Sequence, residues 1–316
     1  MKAIHKQQYA QAARKYGILL VLILVIIIFS LASPNFLSLD NMITILRQVS
    51  VTGIVGVGMT FVMLIGGLDL SVGSVAALTG VVSADLMMRG VHPLAAILLG
   101  ILIAALAGFL TGVIVSKVKI PALIVTLGGM DVFRGIAYLL TDGLPIYGLP
   151  REWAVISQGY ILKLIPIPVA VMAVAYLVGS FLLNRTCFGR RMYALGGNEE
   201  AAKLSGIHVD WIRILTFTLC GLLTGIAGVL LMFRINSGQP AAANSLEMDV
   251  ITGVALGGVS LSGGEGKLFG VFVGVLIIGI LSNGLIILGI SDYAQMVIKG
   301  AVLILAVGLD GISKRK

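Results

Sequence analysis

The sequence predicts an all-α membrane protein, a polytopic bundle of about ten transmembrane helices within a range of eight to ten. Of its 316 residues, 58% are hydrophobic and only 11% are charged, whereas a soluble domain carries about 25% charged residues. The mean hydropathy is +1.07. Because each crossing needs about 20 apolar residues, the remaining loops are too short for a sizeable soluble domain. The sequence therefore predicts a single transmembrane domain over residues 1–316 and excludes a soluble enzyme.

Ten apolar runs give this helix count. They lie at residues 17–33, 49–66, 70–88, 94–116, 121–141, 166–184, 212–233, 248–262, 267–288 and 293–310. The second and eighth runs are short for a hydrocarbon core of about 30 Å, so we expect them to stop part-way or to be broken by glycine. The 41 glycines and 8 prolines suit close helix packing and broken helices.

The basic residues set the predicted topology. If the N-terminus lies inside, residues 1–16 form a basic cytoplasmic segment, and most of the 22 Lys and Arg residues fall on the cytoplasmic side, many of them in a loop at 185–212. The positive-inside rule then favours an even number of crossings with both termini in the cytoplasm. The net charge of +8 follows from this asymmetry and does not indicate nucleic-acid binding. Cys187 and Cys220 lie in different surroundings, which leaves neither a disulfide framework nor a metal cluster.

A local repeat supports this topology. The sequence GGLDLSVG at 66–73 recurs as GGVSLSGG at 257–264, and each copy lies between two apolar runs on the predicted cytoplasmic side. Internal repeats beside short, glycine-interrupted segments are common in transporters, where unwound backbone lines the path. The alternative is that such Gly-Gly pairs are simply frequent in membrane proteins.

The predicted cytoplasmic loop contains a short helix. Asn198 can cap it, Glu199 and Glu200 then lie in the first turn where the helix dipole favours anions, and Gly206 can end it. A helix of about two turns is marginal on its own in water. Ala201 and Leu204 share a face that needs a partner groove, so the segment is either a docking element or an ordinary connecting loop.

Few charges fall within the apolar runs. Asp131 and Arg134 lie three residues apart, so they share a helix face, can neutralise each other, and either line a polar pathway or brace two helices. Asp69, Asp249 and Lys299 lie near the ends of runs, where we expect their side chains to reach water.

Catalytic signatures are missing from the sequence. The three histidines are scattered, and neither a Ser-His-Asp nor an H-E-x-x-H arrangement is present. LSGGE at 261–265 resembles the signature sequence of ABC ATPases, but the Gly-Lys pair at 266–267 lacks the remainder of a phosphate-binding loop. We therefore expect no ATP hydrolysis, no catalytic residue and no bound metal or cofactor in this chain.

Four longer stretches carry a resemblance to a known family. They are GGLDLSVGS at 66–74, TLGGMDVFRG at 126–135, GRRMYALGGNEEAAKLSGI at 189–207, and GVALGGVSLSGG at 253–264 followed by NGLIILGI at 283–290. The chain closely resembles the permease subunit of ribose-type sugar ABC importers from about residue 17 to 310. An overall architecture similar to the vitamin B12 importer permeases, with about ten helices, is then expected.

The resemblance implies partners and a location. A second permease copy completes the pore, cytoplasmic ABC ATPase subunits use ATP and Mg²⁺ to power it, and a periplasmic or lipid-tethered binding protein delivers a monosaccharide across the bacterial inner membrane. Ribose is the first choice; allose, xylose and galactose are handled by similar permeases. The runner-up function is an ion-coupled secondary transporter of a small polar solute, which would need unpaired acidic residues at mid-membrane.

The resemblance also gives the candidate residues their roles. Asp69, Ser71, Asp131 and Arg134 are candidate pathway residues. Four arginines in the outer loops are candidate contacts for the binding protein, the alternative being that they reach lipid phosphates: Arg47, Arg89, Arg151 and Arg234. The ATPase-coupling segment is Gly196, Gly197, Asn198, Glu199, Glu200, Ala201, Ala202, Leu204, Ser205 and Gly206.

Overall fold

A computed structural model describes the backbone of residues 2–314 and the side chains of residues 17–305 and of residue 308. The predicted basic segment 1–16 falls outside the residues whose side chains are described. The described chain is predominantly helical and contains thirteen α-helices and one small antiparallel hairpin of two short strands. The helices are α1 (Lys2–Ala32), α2 (Leu39–Leu64), α3 (Val72–Met88), α4 (Pro93–Val113), α5 (Ala122–Thr141), α6 (Val155–Gln158), α7 (Ile167–Arg185), α8 (Cys187–Gly197), α9 (Glu199–Leu204), α10 (Val209–Ile235), α11 (Leu246–Leu256), α12 (Leu268–Ile287) and α13 (Asp292–Lys314). The strands are β1 (Tyr160–Ile161) and β2 (Ile165–Pro166); a π-helical turn, Ile114–Val118, extends α4, and a 3₁₀ turn, Arg151–Ala154, precedes α6.

Each of the ten predicted apolar runs overlaps a helix. The eighth run stops part-way, as expected, since its helix α11 ends at Leu256. Within the described residues, six of these helices are long and apolar enough to cross a membrane: α2, α4 with its π-helical turn, α5, α7, α10 and α12. Gly17–Ala32 and α3 are apolar but shorter. The all-helical membrane fold is therefore confirmed, while ten crossings and two cytoplasmic termini stay predictions.

The expectation that the second run stops part-way is wrong. α2 begins ten residues earlier than the run and is 26 residues long, because its polar first turns are satisfied within the protein. Ser38 Oγ accepts from the backbone N–H of Asn41. The Asn41 side chain exchanges hydrogen bonds of 3.0 and 2.8 Å with Asn283 of α12.

α2 is the central helix of the bundle. It packs against α7, α10, α11 and α12. Most of its C-terminal half is buried, including Met59, Phe61 and Leu64. Several of these close packings depend on glycine. Gly58 of α2, for example, lies against the backbone of Cys220 in α10, where a side chain would collide. This is the packing by small residues that membrane helices use in place of a hydrophobic driving force.

The bundle has two distinguishable ends. Residues 186–208, the turn after α2 and the turn after α11 meet at one end, where the Tyr193 hydroxyl donates to the carbonyl oxygen of Gly266 at 2.8 Å. We call it the inner end, because the positive-inside rule assigns its basic loop to the cytoplasm. At the outer end, Arg47 donates a hydrogen bond to the carbonyl oxygen of Gln158, and the ring of His92 contacts the ring of Trp153.

Two non-helical segments enter the bundle from opposite ends. Segment 65–71 follows α2 at the inner end, and segment 236–245 follows α10 at the outer end. They converge where Gly73, in the first turn of α3, lies so close to Ala243 O and the Glu247 carboxylate that a side chain would collide. In consequence α3 and α11 have only 17 and 11 residues. Irregular backbone at membrane depth is tolerated only when it is buried in protein or lines a wet cavity.

Candidate functional site

The two copies of the sequence repeat touch each other at the inner end. The backbone N–H of Gly264 donates to Leu64 O at 2.9 Å, and Gly66 and Gly263, both with positive φ, lie in direct contact. Gly196 of α8 closes this junction, since a Cβ there would collide with Leu64 O and Gly264 N. The repeated glycines thus let three chain segments meet, backbone against backbone.

The predicted cytoplasmic loop is more ordered than its sequence indicates. Residues 187–197 form the helix α8, which was not predicted because its three glycines and two adjacent arginines obscure the helical pattern. Thr186 caps it, accepting from the backbone N–H of Gly189 at 3.3 Å. Gly196 and Gly197 are therefore helical residues that position the next segment.

The predicted short helix is present as α9, with the caps that the sequence predicted. Asn198 Oδ1 accepts from the backbone N–H of Ala201 at 2.9 Å. At the other end Gly206 has φ +77°, and the backbone N–H groups of Gly206 and Ile207 donate to Lys203 O and Ala202 O, as in a Schellman end. At six residues the helix is shorter than the two turns expected.

A salt-bridge cluster fixes α9 to the body of the protein. Both carboxylate oxygens of Glu199 accept from the guanidinium of Arg213 in α10, and Lys203 Nζ lies 2.6 Å from Glu199 Oε1. The hydrogen bond from Arg213, with a contribution from Lys203, lowers the pKa of Glu199. Arg213 was not among the predicted site residues, because fourteen positions of chain separate the partners and only the turn at 206–208 brings them together.

The outward face of α9 carries an apolar side chain without cover. Leu204 is 90% exposed, whereas Ala202 on the opposite face is 3% exposed and packs into the core. Ala201 is exposed beside Leu204, as the shared face requires. Beside this helix a cavity of ≈ 560 Å³ opens between the turn 65–67, the π-helical turn and α9, with Lys119 and Arg213 in its wall.

Asp69 and Ser71 form a hydrogen-bonded turn. Asp69 Oδ1 accepts from the Ser71 backbone N–H at 2.9 Å and from the Ser71 hydroxyl at 2.6 Å. Both side chains are buried, at 3% and 2% exposed, so the expectation that Asp69 reaches water is wrong for this chain. The carboxylate instead stabilises the turn that starts α3.

The predicted pairing of Asp131 with Arg134 is wrong. Arg134 Nη1 donates to Pro240 O at 2.6 Å and to Ala242 O at 2.7 Å. It therefore holds the non-helical segment 236–245, whose carbonyl groups are free to accept because they are outside a helix. Asp131 is exposed at the midpoint of α5 and forms no hydrogen bond or ion pair with another described side chain.

Asp249 and Lys299 also depart from expectation. They do not reach water separately near segment ends but form an ion pair, with Lys299 Nζ 2.8 Å from Asp249 Oδ2. Their side chains are 21% and 26% exposed. The pair joins α11 to α13 and lies in the wall of a second cavity.

The four outer arginines gather at the outer end but differ in availability. Arg89 and Arg151 are exposed, and Arg89 forms a 2.7 Å ion pair with Asp85 that raises the pKa of its guanidinium. Arg47 is half-buried, bonds to Gln158 O and lies 4.9 Å over the Tyr160 ring. Arg234 is half-buried at the end of α10. Arg89 and Arg151 are thus the two that a soluble partner can reach.

The bundle contains apolar helices, a protruding short helix and two interrupted crossings, by which we mean α3 and α11 with the non-helical segments 65–71 and 236–245 that precede them. With polar side chains at the interruptions, this arrangement defines a multi-pass membrane transport protein. Residues 41–307 match the family described as branched-chain amino acid transport system / permease component. The chain belongs to this permease family and is a multi-pass protein of the bacterial inner membrane.

Three relatives cover nearly the whole chain. The ribose import permease protein RbsC of Bacillus subtilis (strain 168) is 46% identical over 299 residues, 94% of this chain and 92% of the relative. The protein of the same name from Haemophilus influenzae (strain ATCC 51907 / DSM 11121 / KW20 / Rd) is 45% identical over 92% of this chain and 91% of the relative. The D-allose transport system permease protein AlsC of Escherichia coli (strain K12) is 38% identical over 94% and 91%. No solved structure matches the chain.

Proposed function

We propose that this chain is the non-catalytic membrane subunit of an ATP-driven importer of ribose or a closely related monosaccharide. The identity of 43–46% to ribose permeases, against 38% to the allose permease, favours ribose. Two copies form the pore, a binding protein delivers the sugar at the outer end, and ATPase subunits bind at the inner end. ATP and Mg²⁺ belong to those subunits, and this chain binds neither.

The observation that carries the coupling role is Leu204, exposed at the tip of a clamped helix. Exposure of a leucine side chain to water is unfavourable. Its burial in a groove of the ATPase would stabilise the complex by about 1.5–3 kcal/mol. The clamp between Glu199 and Arg213 transmits displacement, because it ties α9 to the 27-residue helix α10. Gly196, Gly197, Asn198, Glu200, Ala201, Ser205 and Gly206 shape or border this contact.

The pathway runs along the interrupted crossings. Segments 65–71 and 236–245 converge near mid-membrane, where Arg134 braces the second of them. Asp131 points its carboxylate out of the described bundle at mid-span, where hydrocarbon would cost about 3 kcal/mol or more. We therefore assign it to the water-filled pore between two copies of the chain.

Binding-protein contact is assigned to the exposed outer arginines. Arg89 and Arg151 can steer and register an acidic surface. Arg47 and Arg234 then support the outer end from within.

The test is uptake by vesicles that contain the permease, the ATPase and the binding protein. Leu204→Asp should abolish ATP-dependent sugar uptake while membrane insertion is normal, because it places a charge in the contact. The matched control is Leu162→Asp, since Leu162 is 91% exposed at the outer hairpin. Normal uptake by the Leu204 variant would contradict the coupling role, and uptake driven by a proton or sodium gradient without ATP would contradict the importer.

A further inference from the structure

A cavity with both polar and apolar side chains in its wall lies between α11 and α13, at the end of the non-helical segment 236–245. Its volume is ≈ 340 Å³, at the small end of the range for ligand pockets. Its wall is formed by residues at the N-terminus of α11 and by one stripe of α13. The polar members are Asn244, Ser245, Asp249, Thr252, Asp292, Gln295 and Lys299.

The stripe on α13 leads from the outer end into the membrane. Asp292, Gln295 and Lys299 are spaced at i, i+3 and i+7, so they lie on one helix face. Asp292 starts the helix at the outer end, and Lys299 is about 10 Å deeper at 1.5 Å per residue. A row of polar side chains on α13 therefore lines the cavity from the outer end towards the middle of the membrane.

Asp249 marks the depth that the cavity reaches. Gly253 packs against Val275, the eighth residue of the 20-residue helix α12. Asp249 lies one turn closer to the outer end, so its level is near the twelfth residue, about the middle of a helix that is about 30 Å long. An ion pair at this depth belongs in the protein interior or in a wet cavity, and its side chains are partly exposed to the cavity.

The chemistry of the wall suits a neutral polyol. Asp249 and Lys299 neutralise each other yet offer acceptor and donor positions beyond their mutual bond. Gln295 uses its amide N–H on Ile290 O at 2.8 Å, which leaves its side-chain carbonyl to accept. Asn244 is exposed and offers both. Neighbouring donors and acceptors match vicinal hydroxyl groups, whereas an anion would meet the additional negative charge of Asp292 in the wall.

We propose that this cavity is a transient monosaccharide-contact site on the permeation pathway, in which Asp249 and Lys299 exchange hydrogen bonds with sugar hydroxyls. The proposal rests on the proposed function and adds to it the residues that meet the sugar in its passage. A small ring with four or more hydroxyls replaces water in the cavity without the desolvation penalty that a dry wall would impose.

The first arm of the test asks whether the cavity is wet and occupied by sugar. Met296 and Val297 are neighbours on α13, 62% and 73% exposed, but only Met296 lines the cavity. In a Cys187→Ser background, Met296→Cys should react with a hydrophilic, membrane-impermeant thiol reagent and Val297→Cys should not. Ribose should slow the reaction at Met296→Cys. Equal reactivity of the two positions, or no slowing by ribose, overturns the proposal.

The second arm uses the ion pair. The double variant Asp249→Asn, Lys299→Gln keeps hydrogen-bonding side chains of similar size and leaves no unpaired charge. Assembly with the ATPase and stimulation of hydrolysis by the loaded binding protein should be retained, while sugar uptake per ATP falls about tenfold, the factor expected for one lost charged hydrogen bond. Unchanged uptake per ATP would show that the pair is only a brace and overturn the proposal.

These outcomes are separable from failure of the proposed function. If wild-type vesicles show no ATP-dependent sugar uptake, the function is wrong whatever the cysteines report. If wild-type uptake is present and the two arms give negative results, only the contact site is wrong.

Discussion

Arg213 of α10 holds both carboxylate oxygens of Glu199 in α9. The contact ties the most exposed helix of the inner end to a helix long enough to cross the membrane. A shift of α9 is therefore transferred to α10 by a bidentate bond, which fixes direction as well as distance.

This bond should make the anchoring of α9 sensitive to acid. The pKa of Glu199 is lowered in the folded protein, first by the hydrogen bond from Arg213. A carboxylate with a lowered folded pKa contributes stability fully above its unfolded pKa, near 4.5, and the contribution is lost as the pH falls through the lower folded value. Trp211 fluorescence, measured with Trp153→Phe, should report detachment of α9 below about pH 4.5.

Variants identify the group that titrates. Arg213→Gln should move the transition to higher pH, towards the unfolded value, and Glu199→Gln should remove it. Asp210→Asn is the control, because Asp210 pairs with Lys117 instead. A transition that persists in Glu199→Gln would refute the assignment.

Substitution by alanine should affect stability very differently at two adjacent glycines of α8. Gly196→Ala should destabilise the protein by about 1–3 kcal/mol, because the added methyl group meets Leu64 O and Gly264 N. Nothing lies within 4 Å of a Cβ at Gly197, so Gly197→Ala should be neutral or stabilise by up to about 1 kcal/mol. Thermal unfolding in detergent measures both, and equal effects would contradict the close packing at the inner junction.

Substitutions of Asp131 and Arg134 should have independent effects on stability. Arg134→Gln should destabilise by about 2 kcal/mol, since it removes a charged donor from two carbonyl groups. Asp131→Asn should change stability by less than about 0.5 kcal/mol but impair uptake. A double-mutant cycle should give a coupling energy below about 0.5 kcal/mol; a larger value would restore the pairing that the sequence suggested.

The two cysteines test the orientation of the bundle. Cys187 is exposed at the start of α8 and Cys220 is buried. An impermeant thiol reagent should label Cys187 in inverted vesicles and not in intact cells, and Cys220 should stay unlabelled until the protein is denatured. Labelling of Cys187 from outside would reverse the assignment of the inner end.

The sequence predicts structure best where local patterns decide it. Asn198, Glu199 and Gly206 define the start and end of α9 through short-range capping, and the backbone adopts those caps. Apolar runs located the helices because hydrocarbon demands about 20 apolar residues per crossing. Family resemblance predicts that the partner of α9 is the ATPase, a contact that local patterns left open and that stays a prediction.

The predicted helix boundaries were wrong where polar residues bond to residues that are distant in the sequence. The second apolar run was predicted to begin at residue 49, yet the bond of Asn41 to Asn283 keeps the preceding polar turns inside α2. The glycine-rich helix α8 escaped prediction because its support is a junction with Leu64 and Gly264, distant in sequence.

The sequence by itself determined the membrane fold, the permease family and the short inner helix, because hydropathy, caps and motifs act over a few neighbouring residues. Only the tertiary structure decided which charges meet. Spacing allowed Asp131 to pair with Arg134, but the carbonyl groups of segment 236–245 take the guanidinium instead. Asp249 finds Lys299 fifty residues away. Charge partners at mid-membrane are set by which helices pack together, and packing is a property of the whole chain.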